Sequence, residues 1–177
     1  MRKTLLFLLP IALIGIAAIY YKSKPKEEAL MSLSSSSFGE NQAIPRQHSC
    51  EGEDLPIPLA FKNIPKKSES LALIMEDPDA PNGTVIHWVA WNIDPKTHEL
   101  ANTEAINNIS QGTNSAQKVG YKGPCPPYGQ HRYYIRLYAL DNKLDLPATT
   151  TKDELLNAMK GHILSEAELM GTYKKEL

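Results

Sequence analysis

Two histidines, an aspartate and a tyrosine stand in or at the ends of apolar runs, where their polar groups must find partners. Asp77 closes the run Leu71–Asp77 and opens the loop Asp77-Pro78-Asp79-Ala80-Pro81; His87 lies within Val85–Ile93. His131 and Tyr133 follow the loop Gly123-Pro124-Cys125-Pro126-Pro127-Tyr128-Gly129-Gln130 and begin a third run that ends at Leu140. A carboxylate or imidazole removed from water without a partner is costly, so these four groups are expected to satisfy one another, a water or a ligand. The chemistry suits a small anion. Tyr133 can donate through its hydroxyl and either histidine through a ring nitrogen, and loop N–H groups add donors wherever proline does not remove them. Asp77 would accept from a protonated phosphate oxygen, an ammonium group or a histidine that it orients. The plainer reading of His87 is a hydrogen-bonded core residue.

Rival chemistries find less support. Asp77, Asp79, His87 and His131 form an oxygen and nitrogen set, but no His-Glu-x-x-His and no clustered cysteine spacing accompanies them, so neither metal nor cofactor is expected. For nucleophilic catalysis, Cys125 with His131 is the pair to name; prolines on both sides of the cysteine argue against a hydrolase. A third reading is a protein or protease inhibitor that presents the 123–130 loop.

The elements that must position these groups follow from hydrophobic period. Leu71, Leu73, Met75 and Asp77 alternate with Ala72, Ile74 and Glu76, as in a strand. Strict alternation in the second run places Val85, His87, Val89, Trp91 and Ile93 on one face and Ile86, Trp88 and Ala90 on the other, apolar on both sides, which predicts a central strand. His131, Tyr133, Ile135, Leu137 and Ala139 form the inward row of the third, with Arg132, Tyr134, Arg136 and Tyr138 opposite. After Pro147 the period changes. Thr151 and Glu154 make a capping box, and Leu155, Leu156, Met159, Ile163, Leu164 and Ala167 recur at helical spacing, divided by Gly161. Short strands first and helices last predict a mainly antiparallel β domain with C-terminal helices covering one side.

Composition narrows the class. The chain has 177 residues, 19 basic against 20 acidic, with no basic stripe of the kind nucleic acid requires. That length supplies one domain with a sizeable core. Met1, Arg2 and Lys3 precede an apolar run from Leu5 to Tyr21, so residues 1–21 read as an export signal or membrane anchor; the flanks favour an uncleaved anchor. Residues 22–37 are charged and then serine-rich, a linker or the approach to a first strand, and 38–177 form the domain. Export places that domain in the periplasm or at the extracytoplasmic face of the membrane, anchored or released by cleavage. Two cysteines, Cys50 and Cys125, permit a disulfide there and equally a pair of free thiols.

At two stretches the sequence resembles the phosphatidylethanolamine-binding family. Leu73 to Asp94, with Asp77-Pro78-Asp79-Ala80-Pro81 and His87-Trp88-Val89, is similar to the family's first signature, and Gly123 to Leu140, with Gly-Pro-Cys-Pro-Pro and His131-Arg132-Tyr133, to its second, in the bacterial Raf-kinase-inhibitor-like branch. Cys50-Glu51-Gly52, Gln111-Gly112 and Leu144-Asp145-Leu146-Pro147 extend the resemblance in register from about Ile44 to Tyr173. Pro56-Ile57-Pro58-Leu59 and Asn114-Ser115-Ala116-Gln117 depart from the family's usual loops. The resemblance implies a large antiparallel sheet packed with a smaller one, and a pocket for phosphate or phospholipid headgroups made by Asp77, His87, Pro126, His131 and Tyr133. Asp79 and Pro81 would shape its first loop, with Ala80-Pro81 in the cis form found in tight functional turns. It also implies a Cys50–Cys125 disulfide, and a binding or regulatory module, not an enzyme, that acts on a phosphate-bearing ligand or a protein partner.

Overall fold

The computed structural model describes residues 29–101 and 103–176, so the apolar N-terminal run lies outside the described residues. Among the described residues no helix is long and apolar enough to cross a membrane. The chain is mainly β, with a five-stranded and a three-stranded sheet and few helices. Strand β1 (Ser32–Ser35) comes from the serine-rich stretch, which is therefore the first strand and not only a linker. With β2 (Leu59–Lys62) and β5 (Glu99–Leu100) it makes the small sheet.

The large sheet is antiparallel. Its centre is β3 (Ser70–Asp77), flanked by β4 (Val85–Ile93) and β7 (Gln130–Leu140), with β6 (Ser110–Gln111) beyond β4 and β8 (Ile163–Lys174) beyond β7. All eight residues of β3 are buried, as the unbroken apolar run requires of a strand covered on both faces. Leu71, Leu73 and Met75 pack toward the small sheet with Leu59, Phe61, Ile135 and Leu137. Ala72 and Ile74 face the other way, into a second cluster with Trp91, Leu155 and Met159. Short helix α1 (Thr103–Asn107) borders the first cluster, and α2 (Lys152–Ala158) covers the second.

The C-terminal region departs from the helical expectation. Only Lys152–Ala158 is α-helix; Gly161, at φ +81°, turns the chain into β8. In that strand Leu169, Gly171 and Tyr173 are buried at period 2, while Ile163 and Leu164, which fit a helical stripe, are exposed. One helix and an edge strand therefore stand where a helical cover was expected.

The capping box itself is present. Thr151 Oγ1 accepts from the Glu154 N–H and the Thr151 N–H donates to Glu154 Oε2 at 2.8 Å. Thr151→Ala is expected to cost about 1 kcal/mol, a fall of about 2–4 °C in the melting midpoint for a domain of this size. A midpoint that does not move in thermal denaturation would refute a stabilising cap.

Candidate functional site

Asp77 ends β3, buried, with both carboxylate oxygens engaged: Oδ1 accepts the Asp79 N–H at 2.8 Å, and Oδ2 lies 2.7 Å from His131 Nδ1. The ring nitrogen is the donor of that pair when the carboxylate is ionised. The Asp77–Asp79 bond is a local side-chain turn that needs no unusual peptide. Among the described residues no peptide bond is cis, so Ala80-Pro81 is trans, contrary to expectation. The chain reverses instead through Gly83, at φ +103°, whose N–H donates to the Ala80 carbonyl.

His87 reaches the site by an irregularity that alternation does not foresee. In the β3–β4 ladder Met75 opposes Trp88 and Glu76 opposes Ile86, which leaves His87 as an extra residue without a partner on β3. Such a bulge reverses the facing of everything beyond it. Ile86 and Val89 consequently pack in the cluster beneath α2, while Trp88 and Ala90 belong to the cluster beneath the small sheet. His87 is thereby freed from the Val89–Trp91 row and packs against Tyr133, their ring centroids 5.2 Å apart and nearly perpendicular. A second register shift, near Asn92 at φ 54°, returns Ile93 to the face of Ala90.

The bulged residue loses its ladder bond and finds another. Its carbonyl accepts the Lys122 N–H at 2.9 Å, and its ring Nδ1 donates to the Lys122 carbonyl at 2.7 Å. A carbonyl can only accept, so Nδ1 carries the proton and the Nε2 lone pair is left over in the neutral ring. Nε2 is buried with no hydrogen-bond partner. Burial pushes the His87 pKa down, and the Lys122 carbonyl and Asp77, which favour the charged ring, do not reverse that. The Tyr133 hydroxyl is likewise buried without a bond of good geometry. Burial, and next the charge of Asp77, push its phenol far above the usual range.

A cavity of about 290 Å³ opens beside these groups, lined by Asp77, Pro81, Val85, His87 and Pro126 among others. Asp77, His87, Pro81 and Pro126 thus meet at one wall. His131 and Tyr133 adjoin it through Asp77 and His87 and do not themselves line it. Asp79 stands outside, gripped by Arg132: Nε donates to Oδ2 at 2.9 Å and Nη2 to Oδ1 at 2.6 Å, and the Arg132 N–H adds a third bond. The guanidinium holds the Asp79 carboxyl down at about 2. Arg132 points away from the cavity, as its place opposite the inward row requires.

The opposite wall is a seam between two loops. Cys50 and Cys125 are bonded, with Cα atoms 5.4 Å apart. Around them the Cys50 N–H donates to the Pro124 carbonyl, Tyr121 Oη to the His48 carbonyl, and the Gly123 N–H to Asp54 Oδ1. Gly123 leaves room for this contact, since a Cβ there would sit 2.2 Å from the His48 carbonyl oxygen. Lys122, which lines the cavity, and its partner Asp54, 2.5 Å away, are residues that sequence reasoning misses. Their partnership spans 68 residues and leaves no local pattern.

A family model described as phosphatidylethanolamine-binding protein matches residues 34–174. The chain belongs to the phosphatidylethanolamine-binding protein family. Its relatives within that family span bacteria and archaea. It is 46% identical over 151 residues to a UPF0098 protein of Chlamydia muridarum, covering 82% of this chain and 100% of the relative. It is 39% identical over 178 residues to the UPF0098 protein PH1269 of Pyrococcus horikoshii, covering 96% and 90%. Among solved structures, CT736 from Chlamydia trachomatis, described as a homologue of the phosphatidylethanolamine-binding protein, superposes with a TM-score of 0.80 at 44% identity, over 83% of this chain and 99% of that one. E. coli YbcL, at 22% identity and a TM-score of 0.76 over 84% and 100%, shares the fold.

Two further facts bear on what this family member can do chemically. Among the described residues no three His, Cys, Asp or Glu side chains converge as a metal site would require. The Cys125 sulfur, bonded to Cys50, offers no thiolate for His131 to activate.

Proposed function

We propose that this protein is a non-enzymatic binding or regulatory module whose cavity takes a phosphate-bearing small ligand, either a lipid headgroup or a free phosphate. The observation that supports this most is His87 Nε2, a buried polar atom with no hydrogen-bond partner among the described residues, on a side chain that lines the cavity. Buried polar atoms are rarely left unsatisfied, and a bound ligand is one way to complete them. The disulfide fits an oxidising compartment, which supports export to the extracytoplasmic side, with residues 1–21 as signal or anchor. A second reading, a protein or protease inhibitor, is favoured by one feature: Tyr128, in the 123–130 loop, is 66% exposed.

Calorimetric titration of the full chain with phosphoethanolamine tests the first reading. Weak binding is expected, reduced at least tenfold in His87→Ala, which removes a polar group of the cavity wall, since a hydrogen bond to a charged group contributes about 1.5–3 kcal/mol. Inorganic phosphate as a parallel titrant separates a headgroup site from one that recognises phosphate alone. Unchanged binding in that variant would reject the cavity as the site; turnover of the ester would replace the binding reading with an enzymatic one.

A further inference from the structure

The cavity's polar groups are unequal in kind. His87 Nδ1 is committed to the Lys122 carbonyl, so the neutral ring offers only the Nε2 lone pair. Asp77 offers carboxylate oxygens that already receive one proton donor each and retain lone pairs. The side-chain donors of the lining, Asn82 and Lys122, belong to the loops, and beside Asp77 and His87 several backbone donors are missing. Pro81, Pro126 and Pro127 have no N–H, and that of Gly123 is taken by Asp54.

Positive charge is equally scarce. The segments that frame the site, 77–87 and 122–133, contain three cationic or protonatable side chains besides His87, and each faces a carboxylate: Lys122 on Asp54, Arg132 on Asp79, His131 on Asp77. Each of those charges is already balanced by the carboxylate it faces, and of the three only Lys122 lines the cavity. The Tyr133 hydroxyl lies behind the wall, drawn toward Asp77. An oxyanion that enters beside Asp77 and His87 therefore has to bring its own proton.

We propose that the cavity recognises the protonated form of a phosphate group, with its P–OH donating into the acceptors His87 Nε2 and Asp77, and that it excludes the isosteric sulfate. This rests on the reading of the cavity as a phosphate site and adds the proton as the element of recognition. Burial of the His87 ring favours its neutral form, in which Nε2 accepts. A sulfate ester carries no proton there and would set bare oxygens against a carboxylate and a lone pair. The pH dependence then belongs to the ligand: binding is full where the phosphate is a monoanion and is lost as it becomes a dianion.

The full chain titrated with phosphoethanolamine and with its sulfate isostere, ethanolamine O-sulfate, at about pH 5.5 and about pH 8 decides the matter. With a second phosphate pKa of about 6, the monoanion fraction falls roughly seventy-fold between those conditions, and the phosphate ester's affinity is expected to fall with it. The sulfate ester is expected to bind at least tenfold more weakly than the phosphate ester at the lower pH. Sulfate binding equal to phosphate would overturn the proton requirement and leave the anion site standing. A parallel loss of both esters with pH would place the titration in the protein and overturn it also. Failure of both ligands at both pH values would remove the phosphate reading itself, and this inference with it.

Discussion

Replacement of Cys50 and Cys125 together by alanine is expected to lower the unfolding free energy by about 4 kcal/mol, a large fraction of the stability margin of an ordinary domain. The bond joins residues 75 apart, and closing a loop of that length in the unfolded chain corresponds to roughly 4.5 kcal/mol on the chain-entropy account. The native state should lose little by comparison. The hydrogen bonds from Cys50 to Pro124, from Tyr121 to His48 and from Gly123 to Asp54 hold the same two loops together without the sulfurs. Urea unfolding of the double variant, and of the wild type with and without reductant, measures the change. A shift in midpoint worth less than about 1 kcal/mol would show that the unfolded chain is already constrained or that strain in the bond offsets its gain.

A comparable loss is expected on the opposite face of the sheet. Glu76 is buried on the α2 side of β3, where Oε1 accepts from Arg136 and Oε2 from Lys152, the first residue of α2. Arg136 continues the network to Glu168 on β8 at 2.7 Å. Glu76→Ala leaves two cations near a low-dielectric face without their common partner. Removing one member of a buried pair costs about 3–5 kcal/mol, and the partial exposure of both cations places this case at about 3.

Acid should erase the difference. Burial raises the Glu76 pKa, but the hydrogen bonds from Lys152 and Arg136 more than offset it and leave the carboxyl below its ordinary value. A group depressed on folding contributes stability above its unfolded pKa of about 4.3, and that contribution is lost as pH falls through the folded value. The gap between wild type and variant in urea midpoints should therefore be full at neutral pH and narrow below about pH 4. A gap independent of pH would mean that the substitution acts through packing, not charge.

The three strands that build the site were legible because long apolar alternation has one physical reading: β3, β4 and β7 begin within one residue of the periodic runs and end with them. The capping box marked the start of α2 for a similarly local reason. Beyond Gly161 the local signal misleads. Ile163, Leu164 and Ala167 satisfy a helical stripe by spacing, yet pairing with β7 along nearly the whole of 163–174 outweighs that propensity. The facing of His87 was hidden for a different reason, since a bulge is a property of two strands in register and period within one strand cannot reveal it. Asp54 and Lys122 were invisible because their bond is made by the fold alone.

The extra residue in β4 has a consequence for how such a protein changes over generations. Deleting Ile86 would let His87 take its place opposite Glu76, keep the ladder continuous, and turn the imidazole toward α2. The cavity would keep Asp77 and lose the imidazole. Gain or loss of a single codon, with no substitution among the cavity-lining residues, is thus enough to divide descendants of this scaffold into those in which His87 lines the cavity and those that keep only the fold.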